Sequence, residues 1–123
     1  MGSELKPQSF RDLLVWQRSV QLATAVYRTT QGFPREELFG LTSQMRRCAI
    51  SVGSNIAEGQ GRLTTGEFRQ SLGVARGSNF ELQTQIEVAR QLGLGDTQKL
   101  NEADSLSHEV GKMIHAILEK TKN

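Results

Sequence analysis

Gly40–Arg62, GLTSQMRRCAISVGSNIAEGQGR, is the stretch that decides the fold class. Leu41, Met45, Cys48, Val52 and Ile56 recur at spacings of 4, 3, 4 and 4, which places all five on one face of an α-helix. Gln44, Arg47, Ser51, Asn55 and Glu58 run beside that face, so hydrogen-bonding and charged groups border the apolar surface instead of opposing it. Such a border can serve a neighbouring helix, a second subunit or a ligand. Gly59 and Gly61 are expected to end this helix, which then covers about 41–58.

Working outward, QGFPREELFG precedes it, punctuated by Gly32, Pro34 and Gly40. Before that break, Leu13, Trp16, Val20, Ala23 and Tyr27 make a seam at spacings of 3, 4, 3 and 4, and predict a first helix from Ser9 or Phe10 to about Thr30. Val15, Leu22 and Val26 form a second stripe about 120° round the same helix. After Gly61, Thr64 and Glu67 read as a capping box before the series Phe68, Leu72, Ala75, Asn79, Leu82, Ile86 and Ala89, a third helix reaching about Leu92 with Asn79 its one polar seam residue. Asp96 then caps a fourth helix, whose apolar arc includes Leu100, Ala103, Leu106, Val110, Met113, Ile114 and Ile117. No strand pattern competes. Short connections force neighbours to run in opposite directions, so the expected fold is an all-α, antiparallel up-down-up-down four-helix bundle over 9–119. Residues 1–8 read as a flexible lead and 120–123 as a basic tail.

A length of 123 residues suits one domain, and 37% hydrophobic with 23% charged residues describes a chain able to bury a core. The longest apolar run, Leu13–Trp16, is far short of the roughly 20 residues of a membrane helix, and the start lacks a signal-peptide core; a cytoplasmic location and no membrane partner are expected. Cys48 is the only cysteine, which excludes an internal disulfide and a cysteine metal cluster.

The segments DLLVWQ (12–17), FPREE (33–37), GLTSQMRR (40–47) and SNIAEGQGR (54–62) resemble the four-helix bundle family that includes proteins encoded in intervening sequences of bacterial large-subunit ribosomal RNA genes. The similarity spans about Phe10–Ile117. The resemblance implies a small antiparallel bundle that assembles as a homopentamer. A more distant relative, the accessory protein of diversity-generating retroelements, implies contact with nucleic acid and a reverse transcriptase. Gly53 departs from the family pattern, which often has proline there, and puts a helix kink in doubt.

Arg62, Arg69, Arg76, Gln83 and Arg90 repeat every seven residues along the third helix and its entry. A row of guanidiniums can follow phosphates and bind RNA or DNA. The alternative is that these arginines pair with Glu81, Glu87 and acids on adjacent helices, which would leave a protein-interaction scaffold. Arg46 is read as pointing away from the core toward a partner, and Arg47 as bordering it. Ser51, Asn55 and Glu58 are read as a structural polar motif, since a catalytic site would pair a nucleophile with an evident base. His108 and His115 each lack a glutamate three positions earlier, so a di-iron bundle site is not expected; GRLTTGE has glutamate where a phosphate loop needs lysine. The expectation is therefore no enzyme, no metal and no cofactor.

Ile50 and Phe80 fall about 160° and 130° from the core faces of their helices at 100° per residue. With Gly73 and Gly77 beside Phe80 and the Val15, Leu22 and Val26 stripe, they point to a homo-oligomer interface. Net charge is +2 per chain, so an assembly of several copies accumulates a positive field that attracts nucleic acid.

Overall fold

The capping-box signal at Thr64 sets the start of the longest helix: Thr64 is extended, and its hydroxyl accepts from Glu67 N–H at 3.1 Å while donating to the Glu67 carboxylate. The computed structural model describes residues 9–122. Over them lie α1 (Leu14–Thr30), α2 (Ser43–Gln60), α3 (Thr65–Gln91) and α4 (Thr97–Thr121), with no strand among the described residues. The expected lead at 1–8 and the final Asn123 lie outside the described residues. None of these helices is long and apolar enough to cross a membrane.

Asp96 caps α4 by accepting from Gln98 N–H at 2.8 Å and Lys99 N–H at 3.1 Å. Before it, Gly93 (φ 69°) takes the left-handed position that closes α3, with Gly93 N–H bonded to Arg90 O and Leu94 N–H to Ala89 O. Two starts differ from expectation. Ser9 caps only the short turn Phe10–Asp12; Leu13 is extended (φ −76°, ψ 123°), and α1 begins at Leu14. That bend sets the Phe10 ring edge-on to Trp16, with centroids 5.1 Å apart. The second helix starts at Ser43, after a turn at Arg35–Glu37 and a wide turn at Leu38–Thr42 kinked at Gly40. Helix α4 takes in Lys120 and Thr121, which were expected to belong to a tail.

Helices α1 and α3 each pack against both α2 and α4, forming an all-α helical bundle. Ser19 faces Gly53 and Tyr27 meets Arg46 between α1 and α2; Cys48 meets Gln85 and Gly59 faces Ser71 between α2 and α3; Asn79 meets Ser107 and Arg90 meets Asp104 between α3 and α4. Two of these contacts explain glycines. A Cβ on Gly53 would come within 2.8 Å of Ser19 Oγ, and one on Gly59 within 2.8 Å of Ser71 Cβ. Gly59 therefore lets α2 approach α3 and does not end the helix, and α2 runs through Gly53 unbroken to Gln60.

The α2, α3 and α4 seams form the core as their spacings predict, with Met45, Val52, Ile56, Leu72, Leu82, Ile86, Val110 and Ile114 fully buried. The core side of α1 is wider than expected: Ala23 of the expected seam is buried, Leu13 and Trp16 pack against the core, and the second stripe joins them. Val15, Leu22 and Val26, expected at an oligomer interface, are 4%, 0% and 0% exposed inside the chain, whereas Val20 and Tyr27 of the expected seam are 43% and 40% exposed. The physical reason is that α1 must fill the space between α2 and α4, which the stripe with Ala25, Ser19 and Thr29 around it does; Trp16 and Tyr27 sit at the bundle's edge, where an aromatic body stays dry and its polar tip stays wet.

Candidate functional site

With Val20 and Tyr27 outside the core, a groove of about 470 Å³ lies on the outer side of the α1–α2 contact. Its floor is made of small residues, Ala23, Ala49, Gly53 and Ala57, and its walls are Trp16, Val20, Tyr27 and Ile50. The floor is low because Gly53 and the alanines bring α1 and α2 together without bulk between them. Ile50, placed outside the core by its helical angle, is half-exposed on the rim. The groove continues toward Leu38 and Phe39, where Tyr27, Thr42, Arg46, Arg47 and Ile50 line a second hollow, and Phe39 is 93% exposed. Sequence reasoning missed Val20 and Tyr27 because it assigned them to the core, and Leu38 and Phe39 because they belong to no seam. The signal was two adjacent large apolar residues between Pro34 and Gly40, where a connection is expected to be polar.

The arginine row is committed largely within the chain. Arg62 bonds Glu58 at 2.9 Å; Arg90 bonds Glu87 at 2.6 Å and Asp104 at 3.1 Å; and Arg69 donates to Leu118 O and Thr121 Oγ1 at the end of α4. The hydrogen bonds it donates to the Asp104 and Glu87 carboxylates hold the Arg90 guanidinium above its ordinary pKa, and those donated by Gln91 and Arg90 hold the Glu87 carboxyl below its own. Arg76 alone of the row is exposed with no acid against it among the described residues, its guanidinium 5.3 Å above the Phe80 ring. The α2 pair is the reverse of expectation. Arg46 is half-buried, stacked 4.6 Å over Tyr27 and bonded to Thr30 Oγ1 at 2.9 Å, while Arg47 is exposed, because the flank of α2 carrying Arg46 is the one that turns to α1.

The polar edge of α2 is brought together in part. Ser51 and Ser78 hydroxyls lie 2.9 Å apart, and Asn55 Nδ2 donates to Ser51 O at 2.8 Å and Ser51 Oγ at 3.0 Å. Glu58 instead joins Arg62 at the rim of a small polar cavity of about 230 Å³ shared with Asn55, Glu67 and Gln70. Among the described residues, the groups bonded to Ser51 are therefore a hydroxyl and an amide. Burial pushes the Cys48 thiol above its ordinary pKa, with Gln85 Nε2 donating to its sulfur at 3.5 Å. Exposed His108 approaches Asp104 at 3.4 Å, one turn away on α4.

On the other side of the bundle, α3 carries a shallow apolar flank. Phe80 is 49% exposed, and with Thr84, Glu87, Val88 and Gln91 it lines an open hollow. A Cβ added to Gly73 or Gly77 would meet nothing within 4 Å.

The model described as 23S rRNA-intervening sequence protein matches residues 11–116. Among solved structures, the chain is similar to a protein of unknown function from the S23 ribosomal protein family of Bacteroides thetaiotaomicron VPI-5482, with 19% identity over 85% of this chain and 98% of that one and a TM-score of 0.76. At that identity the likeness is one of fold. No curated protein matches the chain. A match over residues 11–116, on the segments that carry the resemblance and on a bundle of the same shape, places the chain in the 23S rRNA-intervening sequence protein family.

Proposed function

We propose that this chain is a non-catalytic subunit of a homo-oligomer, an antiparallel up-down-up-down bundle that works as an interaction platform through its α1–α2 face. One observation carries the reading: Val20, Tyr27, Ile50, Leu38 and Phe39 leave a continuous apolar surface on one side of the molecule, while the chain already possesses a complete core. Contiguous apolar surface of this kind marks a protein contact. The resemblance makes five subunits the expected number. Light scattering on the purified chain should give several times 13.7 kDa, and Ile50→Glu should lower the mass while helix content stays the same. A wild-type chain that scatters as 13.7 kDa at every concentration removes the proposal.

Binding of RNA or DNA by the assembled body is a second reading. It is supported by exposed Arg76 and Arg47 and by a family description that names 23S rRNA. Affinity should then fall with salt by about 0.9 logarithmic units per phosphate neutralised. Arg76→Glu and Arg47→Glu should weaken binding across sequences and flatten that slope. Intact oligomer that ignores nucleic acid at about 50 mM salt, where electrostatic association is strong, leaves the platform without it.

A further inference from the structure

Where α3 borders α4, basic and aromatic groups come together on one side of the bundle. The join is pinned by Arg90 to Asp104, Asn79 to Ser107, and Arg69 to Leu118 O and Thr121 Oγ1, so falling numbers on α3 meet rising numbers on α4. Arg76, between Asn79 and Arg69, therefore lies level with Gly111 and Lys112. His108, Lys112 and His115 recur at spacings of 4 and 3 and share one exposed face of α4. That face borders α3: His108 approaches Asp104 at 3.4 Å, and a Cβ on Gly111 would lie 4.0 Å from Gln83 Nε2. The acids on this side are already paired, Glu87 and Asp104 with Arg90 and Glu119 with Lys122. Arg76 and Lys112 have no ion pair among the described residues, which leaves two unneutralised cations on adjacent helices beside Phe80.

We propose that the α3–α4 side binds an unpaired nucleic-acid strand, with one base stacked on Phe80 and phosphates on Arg76 and Lys112, a contact that rests on the nucleic-acid reading above and names its strand and its residues. Phe80 decides that the strand is unpaired. Its ring is 49% exposed and walls an open hollow of about 490 Å³ with Gln83, Thr84 and Val88. Arg76 stands over the ring without lining that hollow, so the part of the ring that faces the hollow is bare. A base can lie flat on it only after leaving its own stack, which a duplex does not allow. The Gln83 amide makes no hydrogen bond among the described residues and offers donors and an acceptor to the edge of that base. Glu87 also lines the hollow, but Arg90 and Gln91 both donate to its carboxylate, which reduces its repulsion of a phosphate. A guanidinium over a ring keeps its N–H edge free for a phosphate. Packed helices with axes about 8–10 Å apart set Arg76 and Lys112 on either side of one strand.

The test titrates the purified chain, by fluorescence anisotropy over a range of salt, against an end-labelled RNA strand of about 10 nucleotides and against an RNA duplex of the same length. Phe80→Leu keeps an apolar side chain and removes the flat face. It should weaken binding of the strand about tenfold, the share of one stacked base, and leave the duplex unchanged. Arg76→Gln and Lys112→Gln should each lower the salt slope for the strand by about 0.7, while Phe80→Leu leaves that slope alone. Phe80→Trp should keep the affinity, and its added emission should be quenched as the strand binds. Phe80→Leu that weakens strand and duplex alike, or neither, overturns the proposal, as do slopes that neither Arg76→Gln nor Lys112→Gln lowers. If Phe80→Leu alters mass or helix content, Phe80→Trp decides, and emission that the strand leaves unchanged overturns the proposal. Wild-type chain that binds neither RNA at about 50 mM salt removes the nucleic-acid reading beneath it, which is a different result from these.

Discussion

The α3–α4 contact and the α1–α2 contact are built from different materials. Along α3–α4 the join is closed by specific polar pairs: fully buried Asn79 donates to Ser107 O at 2.9 Å and accepts from Ser107 Oγ at 2.7 Å, Arg90 spans to Asp104, and Arg69 ties down the end of α4. Along α1–α2 there is one such pair, Arg46 to Thr30 Oγ1, and the rest of the join is made by Ser19, Ala23, Ala49 and Gly53, with an outer edge that ends in an open apolar groove. A contact sealed by hydrogen bonds is complete within one chain. On the proposed reading, a contact of small residues with an unfilled apolar edge is completed by a second copy that lies on it.

Substitutions can break this contrast directly. Val26→Asp places an unpaired charge in the core side of α1 and should cost on the order of 4 kcal/mol or more, enough to unfold a chain of ordinary stability in a thermal melt. Leu82→Ala and Ile86→Ala, at fully buried positions of α3, should each cost about 2–5 kcal/mol in denaturant titration. Next comes Asn79→Ala, which strands the Ser107 groups and should cost about 1–3 kcal/mol; a loss near zero would mean that the α3–α4 join does not depend on its polar pair.

These effects also separate what spacing reveals from what it conceals. Helix α3 was legible because it has one seam and one capping box, and each signal is local. Helix α1 was not, because it carries two apolar stripes of similar quality, and only the positions of α2 and α4 decide which is buried. The same limit governs the candidate site. Ile50 and Phe80 were legible as exposed apolar residues from angle alone, but Arg69 finds its acceptors 49 and 52 positions along the chain, and Arg46 finds Thr30 across a helix contact. Seven-residue spacing aligns side chains on one helix and carries no information about partners on the next. Gly59 misled for a related reason: a glycine that permits close packing and a glycine that stops a helix look alike until the neighbour is known.

Smaller effects sharpen the comparison. Asp96→Ala removes the cap of α4 and should cost about 1 kcal/mol, read as an earlier melt. Ile50→Asp, on the open edge, should change the stability of the dissociated chain by no more than about 0.5 kcal/mol. Set beside Val26→Asp, the two aspartates should differ severalfold in cost.

Trp16 is the only tryptophan, and it lines the groove, so its fluorescence reports whether that surface is covered. At a concentration where light scattering finds the assembly, wild-type Trp16 should emit to the blue of Ile50→Glu at equal helix content, and mild dissociating conditions should shift the wild type to the red toward the variant. Identical emission from assembled wild type and monomeric Ile50→Glu would contradict the account, because the groove would then be as wet in the assembly as in the single chain.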